Sequence, residues 1–384
     1  MAAEPLALYV HWPFCVSKCP YCDFNSHVRD HVDQAAWRQA MLADLRHEAA
    51  LLPGRTLGSI FFGGGTPSLM PPDSVAAIID AAAGAWPMAD GVEITLEANP
   101  NSVEVANFAA LARAGVNRIS IGIQSFVDDS LAFLGRAHSA VEGLAAIATA
   151  QQHFARVSFD LITARPGQTL TAWQSELARA LSLGTEHLSL YQLTIEPGTR
   201  FKTLFDKGEI ILPEEDLAAD LFSATREMTA AAGLPAYEIS NHARPGAESR
   251  HNLCYWQYGD YAGVGPGAHG RRAGQATQRH KKPENWLKSV EKSGHGLCLE
   301  GALSPTARAT EALVMGLRLT GGVDLARIAA RTSMPVDALI DDVACDDLVR
   351  LGLVHRDGAR LALSEAGMPL LDAILPKLVA VAAG

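Results

Sequence analysis

The sequence predicts an α/β protein in which a parallel sheet of strand–helix units is followed by a small helical module with a hairpin. Three observations predict it. From Leu6 to about Thr199 one unit recurs: a short β-branched or apolar run, a turn carrying a polar residue, then an alanine- and leucine-rich stretch of helical periodicity. Polar residues recur at the ends of the runs, and from about Ser304 the pattern changes to helices and a hairpin.

The strand candidates are ALYVHW, SIFFGGGT, VEITLEAN, RISIGIQSF, RVSFDLIT and HLSLYQLTI. Helix candidates such as AAWRQAMLADLRHEAALL, DSVAAIIDAAAGAW, SVEVANFAALARAG and AWQSELARALSLG lie between them, and Gly115 and Gly184 sit where helix C-caps belong. Six such units in series call for a parallel sheet with right-handed crossovers. A doubly wound sheet and a barrel both satisfy that pattern. Gly-Gly-Gly-Thr, Glu97, Gln124 and Asp160 all fall at or near the C-terminal ends of their strands, the rim where barrel loops gather a ligand, which favours a partial (β/α)6 barrel.

Beyond Pro213 a helix around 214–233 and the strand-like AYEISNHA precede a loop rich in Gly, Tyr and Trp, RHNLCYWQYGDYAGVGPGAHG. From about Ser304 the segments ARATEALVMGLRL, LARIAART, DALIDDVACDDLVRLGLV and HRDGARLALSEAG follow the order of a winged-helix module. The expected division is a barrel core over 1–212, a barrel extension over 213–303 and a winged-helix-like domain over 304–384. Winged helices often bind DNA, but residues 302–384 hold eight Lys/Arg against ten Asp/Glu, and Asp341, Asp342, Asp346 and Asp347 crowd one helix candidate. Phosphate binding wants the opposite sign, so this module reads as a cap or partner surface.

Of the 384 residues 48% are hydrophobic and 19% charged, which suits a globular chain with a large core. No run approaches the roughly 18–20 apolar residues of a membrane span, and MAAEPLALYVHW has no basic segment leading an apolar one. The net charge of −10 argues against a nucleic-acid partner held by bulk electrostatics. Six cysteines, clustered in front and scattered behind as Cys254, Cys298 and Cys345, do not make a secreted disulfide framework, so the expected location is the cytoplasm.

Three of the cysteines fall within FCVSKCPYCDFNSH, as Cys15, Cys19 and Cys22. Their C-x3-C-x2-C spacing, stiffened by Pro13 and Pro20, wraps a loop around a metal centre, and soft thiolates select zinc or iron–sulfur clusters. Zinc requires a fourth ligand, for which His11 or His27 would serve. A four-iron cubane held by three thiolates leaves one iron open to an external chelator.

YVHWPFCVSKCPYCDF resembles the signature of radical S-adenosylmethionine (SAM) enzymes, with Tyr21 as the aromatic before the third cysteine. The resemblance implies a partial (β/α)6 radical-SAM barrel and a 4Fe-4S cluster on Cys15, Cys19 and Cys22. It also implies SAM bound at the open iron and cleaved by an electron to a 5′-deoxyadenosyl radical. Gly64, Gly65 and Thr66 match the family's glycine motif beside the methionine amino group. Glu97 in LEANP, Gln124 in GIQSF, Arg136 in LGRAH and Asp160 in SFDLI match SAM-contacting positions of the porphyrin-handling subfamily, and Tyr9 matches its tyrosine beside the cluster. One departure follows Asp160: the family's aromatic-glycine-leucine segment is replaced within ITARPGQT.

Two members of that subfamily compete. One is the oxygen-independent coproporphyrinogen III dehydrogenase, which oxidatively decarboxylates two propionates. The other is a haem chaperone, which binds haem and passes it to an acceptor protein. The dehydrogenase carries a further cysteine where this chain has Phe24 and a longer segment ahead of Tyr9, whereas RHNLCYW matches the H-N-x-x-Y-W motif of the chaperones. The resemblance then implies His251 as haem ligand, Tyr255 and Trp256 as stacking surfaces, and Arg250, Arg271 or Arg272 as propionate partners, with Cys254 as an alternative ligand. The partners expected on this reading are haem, an acceptor protein, with peripheral contact to membrane acceptors, and an electron donor, with no nucleic acid. A radical-SAM enzyme of another substrate, and a binding module that does not turn SAM over, complete the alternatives.

Overall fold

In the computed structural model, which describes residues 4–379, the six expected strands stand side by side in chain order, each parallel to the next. They are β1 (Leu6–Trp12), β2 (Leu57–Gly64), β3 (Met88–Ala98), β4 (Arg118–Gln124), β5 (Arg156–Thr163) and β6 (His187–Gln192). Their side chains are buried on both faces, as in sheets covered by crossover helices. Met1, Ala2 and Ala3 of the expected leaderless N-terminus lie outside the described residues.

Helices α1 (Gln34–Leu51), α2 (Pro72–Ala85), α3 (Ser102–Val105) and α4 (Phe108–Arg113) fill the first connections. Then come α5 (Asp128–Phe133), α6 (Ala140–His153), α7 (Leu170–Ser182), α8 (Arg200–Asp206) and α9 (Glu215–Ala231). Local chemistry starts and stops them. Asp33 accepts from the amides of Ala35 and Ala36, and Ser139 with Glu142 forms a capping box. The expected helix SVEVANFAALARAG breaks into α3 and α4. The buried Glu104 carboxylate turns back to the Asn99 amide (2.7 Å) and to the hydroxyl of Ser68, so the first turn serves the end of β3.

The sheet is larger than the sequence suggested and mixed. Beyond β6 lies the antiparallel β7 (Asn241–Ala243); only these three residues of AYEISNHA form a strand, because Glu238 accepts from the Ser240 amide and the Asn241 side chain and bends the chain before them. Beyond β1 lie β8 (Tyr261–Val264), parallel to it, then the antiparallel β9 (His269–Arg272), β10 (Gln275–Arg279) and β11 (Leu297–Ala302). The expected loop RHNLCYW is a helix, α10 (Arg250–Trp256), capped by Ser249. The strand order β11-β10-β9-β8-β1-β2-β3-β4-β5-β6-β7 gives an open sheet, consistent with a partial barrel.

A buried ionic knot ties the late strands to the first helix. From α1, Asp44 and Glu48 face Arg279 of β10 (2.6 and 2.9 Å), and Glu48 also meets Arg272 of β9 (2.8 Å). Asp44 accepts further from the amides of Gly265 and Gly296 (both 3.1 Å) and from the indole of Trp286 on α11 (Pro283–Ser293) (3.2 Å). Charges this deeply buried persist only when paired and fully hydrogen-bonded.

The C-terminal segment has its own hydrophobic core, built around Leu313, Leu325, Leu339, Cys345, Leu361 and Leu378. Helices α12 (Pro305–Gly316), α13 (Leu325–Thr332) and α14 (Asp342–Arg350) precede a hairpin of β13 (Val354–Asp357) and β14 (Arg360–Leu363). A short strand, β12 (Val323–Asp324), completes a three-stranded sheet. This is the expected order, and the four aspartates at 341, 342, 346 and 347 are exposed. No helix among the described residues is long and apolar enough to cross a membrane.

Candidate cofactor and ligand site

The cysteine loop leaves the end of β1 at Pro13 and is closed at its base by a two-residue parallel pairing of Phe14–Cys15 with His27–Val28. Cys15, Cys19 and Cys22 line one cavity of ≈ 400 Å³ over the strand ends, together with Tyr21, Gly64, Gly65, Thr66, Glu97, Gln124, Arg136 and Asp160. Positions spread over 146 residues of sequence therefore meet in one place.

Donors already face the sulfurs. The Thr66 hydroxyl lies 3.4 Å from Cys15 Sγ, and Arg136 Nη1 lies 3.3 Å from Cys19 Sγ. The same guanidinium binds Asn99 Oδ1 (2.6 Å) and the Gly122 carbonyl (2.7 Å), so it is held in place. Burial pushes the Cys15 and Cys22 thiols up, which disfavours bare thiolates and favours thiolates neutralised by a metal centre. The ring nitrogens of His11 are engaged, Nδ1 by the Tyr9 hydroxyl (3.0 Å) and Nε2 by the Asn25 carbonyl (2.9 Å); His27 Nε2 meets Asn25 Oδ1 (3.2 Å). Neither imidazole offers zinc a free Nε2. A donor set of three thiolates, two of them with N–H or O–H donors at hand, fits an iron–sulfur cluster.

The strand ends supply the polar wall. Gly64 has φ 113°, and a Cβ there would lie 2.6 Å from the His11 ring, so no other residue fits this close approach. Its amide donates to Glu97 (3.3 Å), whose carboxyl is pushed up to about 8 by burial and by the neighbouring Asp160. Burial likewise pushes Asp160 up to about 6, and Ser120 donates to it (3.3 Å). Asp160 stands three residues before the end of β5 rather than at its tip. Gln124 sits in the left-handed region (φ 69°), an unusual conformation for glutamine that turns the chain at the cavity wall. Asn99, which bridges Arg136 and the Thr66 hydroxyl (3.1 Å), is not among the residues the sequence singles out, although it stands two residues after Glu97 in LEANP.

A second cavity, of ≈ 610 Å³, adjoins the first and shares Lys18, Phe24, Ser26, Gly64 and Glu97 with it. Tyr9, Phe61, Tyr255 and Tyr261 give it aromatic walls, and His11, His27, His269 and Lys281 also line it. Tyr9 therefore serves this cavity, whereas the other matched SAM-contacting positions line the first.

His251 lines neither cavity. It is 2% exposed and packed between Phe61 (4.8 Å), Tyr255 (4.9 Å) and Tyr9 (6.1 Å), ring centroid to centroid. Its Nδ1 is 3.2 Å from Ser59 Oγ, its Nε2 is buried without a partner, and burial holds its pKa down at about 3. The expected propionate partners are engaged elsewhere: Arg250 with the Gly91 carbonyl, Arg271 over the Tyr258 ring (3.7 Å), and Arg272 with Glu48 and Glu300. Trp256 carries the Arg318 guanidinium 4.7 Å over its ring, towards the C-terminal core. Cys254 points at the Asp260 carbonyl, and burial pushes its thiol up to about 11, so it holds no thiolate at neutral pH.

Comparison with known proteins agrees with this geometry. The profile of the radical SAM superfamily matches residues 9–178, and that of the HemN C-terminal domain matches residues 303–370. The mouse mitochondrial "Radical S-adenosyl methionine domain-containing protein 1" is 39% identical over 98% of this chain and 88% of its own. "Heme chaperone HemW" of Escherichia coli is 44% identical over 70% of each chain, and that of Mycobacterium tuberculosis strain H37Rv is 34% identical over 99% of this chain and 96% of its own. Among solved structures, the radical SAM enzyme coproporphyrinogen III oxidase (HemN) of Escherichia coli aligns with a TM-score of 0.79 at 22% identity, over 97% of this chain and 90% of that one. That likeness establishes the fold.

Proposed function

This chain belongs to the radical SAM superfamily and, within it, to the group of the HemW haem chaperones, and from that premise we propose that it binds a 4Fe-4S cluster, SAM and haem and delivers haem to an acceptor protein. The observation that carries the reading is the pairing of two adjoining cavities, one lined by three cysteines and the other by the rings of Tyr9, Phe24, Phe61, Tyr255 and Tyr261. A flat, apolar macrocycle stacks on such rings, and Lys18 and Lys281 on the same lining offer ammonium groups to its propionates.

Cys15, Cys19 and Cys22 would hold the cluster, with Thr66 and Arg136 donating to two of the sulfurs. Gly64, Gly65, Glu97, Gln124 and Asp160 would hold SAM, with Tyr21 beside them. The cluster, when bound, supplies a low-potential electron and one open iron for SAM. The chain's own contribution is placement: Gly64 allows close approach, Glu97 and Asp160 present carboxyls of raised pKa, and the Arg136–Asn99–Thr66 bridge fixes the wall around the sulfurs. Residues 1–212 form the cofactor-binding unit in this reading, 213–303 the far wall of the haem cavity, and 304–384 a surface for the acceptor. An electron donor reduces the cluster, and six unpaired cysteines accord with a cytoplasmic setting.

The test is a haem titration of the cluster-reconstituted chain, set beside an anaerobic assay with SAM, a reductant and coproporphyrinogen III. A saturable Soret shift with no protoporphyrinogen formed is expected. Protoporphyrinogen formation would reassign the chain to the decarboxylating enzymes.

A further inference from the structure

We propose that His269, at the start of β9, is the protein ligand of the haem iron; this rests on the haem reading above and names the residue that would anchor the cargo. Iron takes a nitrogen that is accessible, unprotonated and not already committed. Three imidazoles line the aromatic cavity. His11 is committed at both nitrogens, and His27 is committed at Nε2. His269 has one side-chain hydrogen bond among the described residues: its Nε2 lies 3.3 Å from the amide nitrogen of the half-buried Gln278, which donates to it. That nitrogen therefore carries its lone pair outward, and a weak contact with a movable surface amide is all that iron would displace. Burial, with the nearby Lys281 ammonium, holds the imidazole below its ordinary range, so it stays neutral at pH 7.

His269 also stands on fixed ground. The carbonyl of His269 would be only 1.9 Å from a Cβ at Gly263, so β8 and β9 press together there as only glycine permits. The turn just before it is clamped to the cysteine loop: the Asn25 side-chain amide donates to the carbonyls of Pro266 and Lys281, both at 2.9 Å. The imidazole thus sits on a braced strand end, beside the aromatic rings and on the same cavity lining as Lys18 and Lys281. His251 has the opposite character. Sealed beneath Phe61 and Tyr9, it supports the aromatic floor and offers iron no open face.

The full-length, cluster-reconstituted chain is titrated with ferric haem while the Soret band and the low-temperature EPR spectrum are followed, for the parent and for His269→Ala and His251→Ala. The parent should bind with an imidazole-ligated spectrum. His269→Ala should lose that signature and at least about tenfold in affinity, and free imidazole should restore the signature. His251→Ala should keep the ligand signature even if the floor loosens. A parental spectrum in His269→Ala overturns the assignment, and loss of the signature in His251→Ala alone transfers it to His251. Absence of saturable haem binding by the parent chain overturns the haem reading itself, and this inference with it.

Discussion

The two adjoining cavities are built in opposite ways. The cysteine cavity is made of strand ends and one loop from the first 160 residues, and its side chains already hold one another in hydrogen bonds. The aromatic cavity takes Tyr255, Tyr261, Gly267, His269 and Lys281 of its wall from beyond residue 250, and that part of the wall is positioned by an ionic knot on α1. On the proposed reading, the site for a small charged cofactor is assembled from local motifs on rigid strands, and the site for a large flat cargo is walled in part by a distant segment.

Replacing a cluster ligand separates the two most sharply. Cys19→Ala should abolish the reconstituted cluster, read as iron and sulfide content, while the haem-induced Soret shift persists, because no cysteine ligand of the loop is also a wall of the aromatic cavity. Simultaneous loss of both would show that the cavities are one site.

The second largest effect lies on the other side of the comparison. Asp44→Ala leaves Arg279 with Glu48, which Arg272 shares, and strands two backbone amides and an indole, and should lower unfolding free energy by about 3–5 kcal/mol in urea titration. Haem affinity should fall with it. Asp44→Leu combined with Arg279→Met should cost less than the sum of the two single changes.

Protonation acts with opposite signs on the buried histidines and on Glu97. In the aromatic region, burial lowers His11 to about 4 and His251 to about 3. The unfolded chain takes up protons at these groups from pH 6.5 downward while the folded chain does not, so their contribution is complete above about pH 6.5 and declines as pH falls towards 4. Glu97 behaves oppositely. Raised to about 8, it stays protonated when folded, and its contribution is present in acid and declines as pH rises from about 4.5 through 8. His251→Phe should flatten the acid limb of stability against pH, and Glu97→Gln the alkaline limb, each by about 1.4 kcal/mol per pH unit within its window. Identical slopes in parent and variant would remove the group concerned from the accounting.

The smallest effect tests the family departure in ITARPGQT. Within it Ala164 adopts φ 56°, and the next residue, Arg165, is buried in an ion pair with Glu176. Ala164→Gly should raise stability by about 0.5–1 kcal/mol, since the left-handed conformation is strained for alanine. A loss of stability would mean that the methyl group packs usefully there.

How much of this was legible in the sequence follows the same division. The strand–helix periodicity marked β1 to β6, and the cysteine loop with Gly64, Thr66, Glu97, Gln124, Arg136 and Asp160 could be read because each lies in a short segment with a recognisable neighbourhood. β8 to β11 could not. Their strands are short, YAGV and HGRR alternate poorly, and glycines that permit close backbone approach look like loop residues when read alone. His251 drew attention through RHNLCYW, yet helix formation by that segment turns the imidazole inward. Arg271 and Arg272 looked like free cations because their partners, at Glu311, Glu48 and Glu300, are far away in the chain. Asn25 and His269 belong to no local pattern, and only the fold brings them together.

The ionic knot also has a consequence for biosynthesis. Asp44 and Glu48 emerge from the ribosome more than 200 residues before Arg272 and Arg279. Until those arginines arrive, a nascent chain cannot bury the inner face of α1 without enclosing two uncompensated carboxylates. The N-terminal half therefore has reason to stay incompletely closed during translation, and the aromatic cavity reaches its final shape only once the strands up to residue 302 are made.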